Sequence, residues 1–301
     1  MRFIVTGGAG FIGSNITKLL LEKNHDILVL DNMHTGKKEN LHHSDKLKFY
    51  QVDIRDYSLL EDHIQNIDGI FHEAGLTLVP ESFEKPQEYH DVNVNGTENV
   101  FKIAKKNNIK VVYASSSSVY GKTEKIPIKE NEIKNPINPY GQTKVEKDNL
   151  AEKYSKEGCS IIGLRYFNVF GKGQTGTYAG VITKFLECIK NKTSLTIYGD
   201  GKQIRDFVSV EDVANANLQA MLSDIKNGYF NIGTGIPTTI LELAEIMIKI
   251  SNNNTIPIFK DSRKGDVKLS LANMSNTQKY LNWNSEIKLE EGLRKLISEK
   301  I

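Results

Sequence analysis

The feature that most constrains this chain is a rhythm: through residue 165, a short apolar run, a turn and a helical stretch keep recurring. The apolar runs cover residues 3–6, 27–30, 47–51, 69–72, 111–114 and 161–165. Several are apolar throughout rather than alternating, the pattern of strands covered on both faces. Helical stretches lie between them at 10–23, 58–65, 94–107 and 140–157. Strands alternating with helices imply right-handed crossovers, so an α/β fold with a doubly wound parallel sheet is expected. Past residue 170 the rhythm loosens. Residues 171–180 are rich in Gly and Thr, 198–203 (YGDGKQ) read as a turn, and 251–255 form a polar loop. Further helices are expected at 209–222, 239–250 and 290–299, in a smaller second domain over the C-terminal edge of the sheet.

Composition narrows the partners. Thirty-nine basic against 37 acidic side chains leave a formal charge of +2, with no segment concentrating it. Charge therefore points to neither a nucleic acid nor an anionic membrane. Cys159 and Cys188 are too few for a disulfide framework and wrongly spaced for zinc, so reduced thiols and no metal are expected. The chain begins MRFIVTGG, without a charged and then apolar leader. No apolar run approaches the ~20 residues of a membrane span. A cytoplasmic protein is expected.

Thr6-Gly7-Gly8-Ala9-Gly10-Phe11-Ile12-Gly13 follows the first strand and opens the first helix. Either Gly7 or Gly8, with Gly10 and Gly13, fits the dinucleotide spacing. Glycine is wanted because the backbone must turn sharply and approach a pyrophosphate, which the helix N-terminus then meets with free N–H groups. Asp31 ends the second strand, eighteen residues past Gly13, where an acid meets ribose hydroxyls. A carboxylate repels a 2′-phosphate, so NAD is favoured over NADP, although Lys37 and Lys38 stand nearby.

Tyr140-Gly141-Gln142-Thr143-Lys144 places a phenol and an ammonium four residues apart, on one helix face. Asn138-Pro139 is the helix-start signal. A phenol with an ordinary pKa near ~10 is a poor base, but a lysine one turn away and a cationic nicotinamide both favour the phenolate. The serine cluster 115–118 follows the run 111–114, at a strand's C-terminal end, where open α/β sheets bind ligands.

With these residues in place, the sequence resembles the extended short-chain dehydrogenases/reductases, and among them the UDP-galactose (UDP-glucose) 4-epimerase family. The motifs are TGGAGFIG (6–13), DNMHTG (31–36), DI (53–54), FHEAGL (71–76), NVNGT (93–97), SSSSVYG (115–121) and NPYGQTK (138–144). They continue with LRYFNVFG (164–171), YGDGKQIRDFVSVEDV (198–213), FNIGTG (230–235) and RKGD (263–266). The resemblance covers essentially the whole chain and implies a Rossmann sheet with a smaller C-terminal α/β substrate domain. The NAD domain would be residues 1–168 plus about 210–234, and the nucleotide-sugar domain about 169–209 plus 235–301.

The resemblance also implies roles. Phe11 and Ile12 would lie at the pyrophosphate, Asp31 and Asn32 at the adenosine ribose, and Asp53 with Ile54 at the adenine, with Gly36 also among the cofactor-binding residues. Ala74 and Gly75 would line the cofactor channel, with Asn93 and Phe167 bordering it. Ser116 matches the catalytic hydroxyl, Tyr140 the base and Lys144 its partner; Asn168, Arg205 and Arg263 match residues that hold the nucleotide diphosphate. Lys264 and Thr77 depart from the family pattern, Thr77 standing where some members carry lysine. A homodimer is implied, through a four-helix bundle of the helices around 94–107 and 140–157.

The reaction is read from the neighbours of the serine. Related dehydratases carry Asp-Glu just before Val-Tyr-Gly, and related decarboxylases carry Glu in the second place; this chain has Ser117 and Ser118. UDP-glucuronate 4-epimerases typically have Thr where this chain has Asn168. The expectation is 4-epimerisation of a neutral UDP-hexose through a transient 4-keto sugar. Ser270, four residues after Asp266, matches the position that gates the sugar's 2-substituent, and its small size suggests tolerance of the N-acetylated pair. The alternatives are an epimerase or reductase of another nucleotide sugar, a uronic acid or deoxy sugar, and, remotely, a NAD-binding regulator. The last would need to have lost Tyr140 or Lys144, and both are present.

Overall fold

The computed structural model describes residues 1–123, 125–174, 180–252, 255–262 and 267–300. Strands β1 (Arg2–Thr6), β2 (Asp26–Asp31), β3 (Leu47–Gln51), β4 (Gly69–His72), β5 (Lys110–Ser116) and β6 (Ile161–Tyr166) coincide with the six apolar runs to within two residues. Short strands β7 (Asn168–Phe170), β8 (Thr196–Tyr198), β9 (Ile204–Arg205) and β10 (Phe207–Ser209) precede β11 (Asn227–Ile232), which joins the main sheet. The sheet order is β11-β6-β5-β4-β1-β2-β3, with every pairing parallel. The chain starts in the middle, winds to one edge, and returns through β4 to the other, so the strand order reverses between β1 and β4. Ligands of open α/β sheets bind at such a reversal.

Helices cover both faces. On one side α1 (Phe11–Glu22) and α8 (Val210–Leu222) bury Ile16, Leu20, Val213, Leu218 and Met221 against Phe3, Val5, Phe71 and Leu164. On the other, α2 (Tyr57–Glu61), α5 (Gly96–Asn107) and α6 (Pro139–Lys156) bury Leu60, Phe101, Ala104, Ala151 and Tyr154 against Ile4, Val111 and Ile161. The inner strands β1, β2, β4, β5 and β6 thus hide both their faces, the physical reason most of their residues are apolar. The edge strand β3 instead leaves Lys48, Tyr50 and Gln51 exposed.

Differences from the sequence reading have local causes. Helix α2 stops at Glu61, four residues short of the expected 65. The expected helix 94–107 starts as a π-turn over Asp91–Asn95 before α5 begins at Gly96. Helices α3 (Val79–Glu84) and α4 (Pro86–His90) were not expected; in each a proline sits in the first turn, where its missing N–H costs nothing.

A third core belongs to the second lobe. It joins α7 (Val181–Lys190), α9 (Ile240–Ser251) and α11 (Leu289–Lys300) through Phe185, Leu186, Leu243, Met247 and Leu293, with β12 (Thr238–Thr239) beside β9 and β13 (Ile258–Lys260) beside β8. Ala272, Met274, Leu281 and Trp283, flanking and including α10 (Ser275–Leu281), pack into the α1/α8 core rather than this one. The chain therefore crosses back to the sheet over residues that the sequence reading placed in the second lobe.

Candidate active site

The C-terminal ends of β1, β2, β4, β5 and β6 open into one cleft of about 470 Å³. Its glycine turn is built for close approach. Gly7 has φ +69°, and a Cβ there would stand 2.7 Å from the Ala74 amide nitrogen; a Cβ on Gly13 would collide with the Gly7 carbonyl. Helix α1 begins at N-cap Gly10 with no side chain capping it, and Gly7, Gly10, Phe11, Ile12 and Gly13 all line the cleft. First-turn N–H groups left without a capping side chain are what a pyrophosphate requires. The residues present fit a dinucleotide.

At one end of the cleft, Asp31 accepts hydrogen bonds from the amides of Ala9 (3.0 Å) and Met33 (2.8 Å). Burial pushes its carboxyl up, and the two amides counter this. Gly36 does not line the cleft; its role is space, since a Cβ there would press on the Asp31 carboxylate at 2.8 Å. Asn32 and Ile54 line the wall, whereas Asp53 is turned into a brace. It accepts from Asn32 (2.9 Å) and from both Arg55 Nε (2.9 Å) and Nη2 (2.7 Å), which hold it well below the usual carboxylate range. Arg55, unnoticed in the sequence, is the residue of that pair that lines the cleft.

The other end gathers Ser116, Tyr140 and Lys144 on the cleft wall. Ser116 ends β5, and its Oγ accepts from the Ser118 amide (3.1 Å), capping the short turn Ser117–Val119. That leaves the hydroxyl proton for a ligand. Helix α6 starts where Asn138 Oδ1 accepts from the Gly141 amide (2.7 Å), with Pro139 in the first turn. This cap places Tyr140 at the mouth of the helix. Lys144 Nζ donates to the Ala114 carbonyl (3.0 Å) and lies 5.5 Å from the centre of the Tyr140 ring, so a fixed ammonium faces the phenol.

The support for this end was largely invisible in the sequence. Asn93, expected to border the channel, is buried and does not line it. Its amide group accepts from the Leu76 N–H (2.8 Å) and donates to the Leu76 carbonyl (3.0 Å) and to Thr143 Oγ1 (3.1 Å). The residue thereby ties the Ala74–Leu76 wall to α6, from a π-turn of the sort often found beside functional sites. Below it, Asp148 accepts from Tyr113 (2.8 Å), Ser115 (2.8 Å) and the Arg165 guanidinium (2.9 and 3.1 Å).

Glu73 also lines this end. It accepts from the Tyr166 hydroxyl at 2.9 Å, and burial pushes its carboxyl up to about 7. The only sign of it in the sequence is an acid standing directly after the apolar run of β4. Ala74, Gly75, Phe167 and Asn168 share the wall. Arg205 and Ser270 stand together, the Ser270 amide donating to the Ile204 carbonyl (3.1 Å), outside the lining of the cleft. Beside them Asp206 accepts from the amides of Thr234, Gly235 and Ala272, pinning the FNIGTG segment to the second lobe. Arg263 lies outside the described residues. Among the described residues there is no cluster of metal-ligating side chains.

Known proteins are similar to this chain in architecture and in sequence. Residues 3–233 match the NAD dependent epimerase/dehydratase family. The chain belongs to this family. It is accordingly an enzyme with NAD as its cofactor. The UDP-glucose 4-epimerase of Lactobacillus helveticus is 34% identical over 304 residues, covering 94% of this chain and 92% of that protein. The structure of UDP-glucose 4-epimerase from Thermotoga maritima with UDP-glucose superposes with a TM-score of 0.95 at 34% identity, over 99% of this chain and 98% of that one. The UDP-N-acetylglucosamine 4-epimerase of Methanobrevibacter ruminantium M1, in complex with UDP-N-acetylmuramic acid, gives 0.95 at 36% identity, over 99% and 97%.

Proposed function

We propose that this family member is a 4-epimerase of a neutral UDP-hexose, interconverting UDP-glucose and UDP-galactose and tolerating the N-acetylated pair. The observation that carries the reading is the set Ser116, Tyr140 and Lys144 on one wall, with Ser117 and Ser118 where related dehydratases carry acids. NAD, held by the Gly7–Gly13 turn and Asp31, would supply a hydride acceptor and donor for C4 when bound. Tyr140, as phenolate, takes the 4-hydroxyl proton as C4 becomes a ketone and gives it back on the return. Lys144 Nζ, anchored on the Ala114 carbonyl, holds a cation 5.5 Å from the centre of the Tyr140 ring. Ser116 donates to the sugar oxygen. Asn168 and Arg205 belong to the proposed grip on the diphosphate, a task suited to guanidinium.

A neutral sugar suits the charges at this end. Among the described lining residues its one cation is Lys144, already donated to the Ala114 carbonyl, while Glu73 would repel a uronate. Incubation with UDP-glucose and with UDP-N-acetylglucosamine, without added NAD, tests the reading: both 4-epimers are expected. Absence of any 4-epimer from the NAD-loaded protein overturns it. The same reading includes a homodimer through α5 and α6. Their outer faces carry the Glu98–Lys102 and Glu98–Lys153 ion pairs, so that interface would be polar, and sedimentation at twice the monomer mass is expected.

A further inference from the structure

Ser116, Tyr140 and Lys144 account for proton movement, but not for the carboxyl that shares their end of the cleft. Three acids line the described cleft: Asp31, Glu73 and Glu88. Asp31 is committed to the amides of Ala9 and Met33, and Glu88 acts on Arg55, so both belong to the adenosine end. Glu73 alone stands with Ala114, Lys144 and Tyr166. It is held from behind, since Asn217 Nδ2 on α8 donates to the Tyr166 hydroxyl (2.8 Å), which in turn donates to Glu73 Oε1 (2.9 Å). A hydroxyl that accepts one hydrogen bond donates a stronger second one.

We propose that Glu73 is a charge-setting residue for the bound dinucleotide: its carboxylate favours the oxidised, cationic nicotinamide ring over the reduced, neutral one. The physical ground is Coulombic, because an anion in a poorly solvated wall stabilises a nearby cation and does nothing for a neutral ring. The groups facing Glu73 make its charge adjustable. Burial pushes the carboxyl up to about 7, against the Tyr166 hydrogen bond and the ammonium groups of Lys147 and Lys144 on α6. His72, the preceding residue, is held neutral by burial between Thr6 and Thr97, and the glycine turn has no ionisable side chain. Ionisation of Glu73 as pH rises therefore strengthens its preference for the oxidised ring, and by the same attraction the bound cation draws the carboxyl's titration down.

The inference rests on NAD occupying the cleft and not on which sugar turns over, so its test uses no sugar. The holoenzyme is poised against a soluble redox dye of known potential, and the ratio of oxidised to reduced bound dinucleotide is read from absorbance across the pH range. Above pH ~7, Glu73→Gln is expected to favour the reduced ring by about tenfold relative to wild type, the size of one pKa unit of interaction. Well below that pH the two proteins should coincide. Tyr166→Phe, which keeps the carboxyl but removes its donor, should move their point of divergence to higher pH. Identical ratios at every pH would overturn the proposal, and so would a difference independent of pH, which marks a packing effect. If Glu73→Gln fails to fold or to retain the dinucleotide, Tyr166→Phe decides, and no pH displacement in that variant overturns the proposal.

Discussion

Tyr140 and Lys144 illustrate how far single residues could be read. Their spacing put them on one helix face, but only the fold supplies what fixes the ammonium, the Ala114 carbonyl at the end of β5. Since Lys144 is anchored to backbone, removing the phenol leaves its position unchanged. Tyr140→Phe should therefore lower kcat by about 10²–10⁴-fold, the range of a general acid–base group, with substrate binding little altered. Steady-state kinetics on both epimers measures this, and near-wild-type turnover would remove Tyr140 from the mechanism. Asp53 and Asn93 were legible as motif positions and not as contacts. Asp53 is bound to Arg55 only two residues on, a contact that needs a local turn rather than a period. Asn93 is bound to Leu76 and Thr143, 17 and 50 residues away, and partners that distant leave no periodic mark in a sequence.

At the scale of elements, the inner strands were legible because burial on both faces demands nearly unbroken apolar runs. The edge strand β3, exposed at Lys48, Tyr50 and Gln51, was legible from its place in the strand–helix rhythm. Strand β11 was not, since Asn231 interrupts it, and that residue is itself buried and bonded to the Ile128 carbonyl and Tyr120. The joint between β5, β6 and α6 depends on the Asp148–Arg165 pair, in which both side chains are at most 1% exposed. Arg165 also donates to Tyr120 (3.0 Å) and to the Glu130 carbonyl (2.8 Å), and it lies over the Tyr229 ring at 4.6 Å. Replacing Arg165 with Met removes the bidentate partner of the buried Asp148 carboxylate and leaves it Tyr113, Ser115 and, at 3.9 Å, Lys134, so stability should fall by about 3 kcal/mol. Denaturant unfolding followed through Trp283, the single tryptophan, reads this out; a loss under about 1 kcal/mol would mean the pair is dispensable.

For the whole molecule, the proposed choice of substrate would fall to Ser270 and the residues that brace it. Ser270 lies where residues 267–272 run from the second lobe back to the sheet, its amide tied to Ile204 and its neighbour Ala272 tied to Asp206. A buried side chain so braced from both sides cannot swing away from added bulk. Ser270→Tyr should thus depress turnover of UDP-N-acetylglucosamine far more than that of UDP-glucose, as the ratio of kcat/KM for the two substrates would show. An unchanged ratio would take Ser270 out of the specificity argument.

The sequence by itself determined the α/β class, the glycine turn, the acid that ends β2 and the Tyr-Lys pair. Each of these is a local requirement: a period, a cap, or a backbone angle that only glycine adopts cheaply. The tertiary structure alone decided that Glu73 and Tyr166 meet across 93 residues beside Lys144, that Asp53 braces rather than lines the cleft, and that residues 272–283 return to the sheet. Such facts depend on which strands become neighbours and which faces their ends present. That order is set by packing the whole chain at once and is written in no single segment.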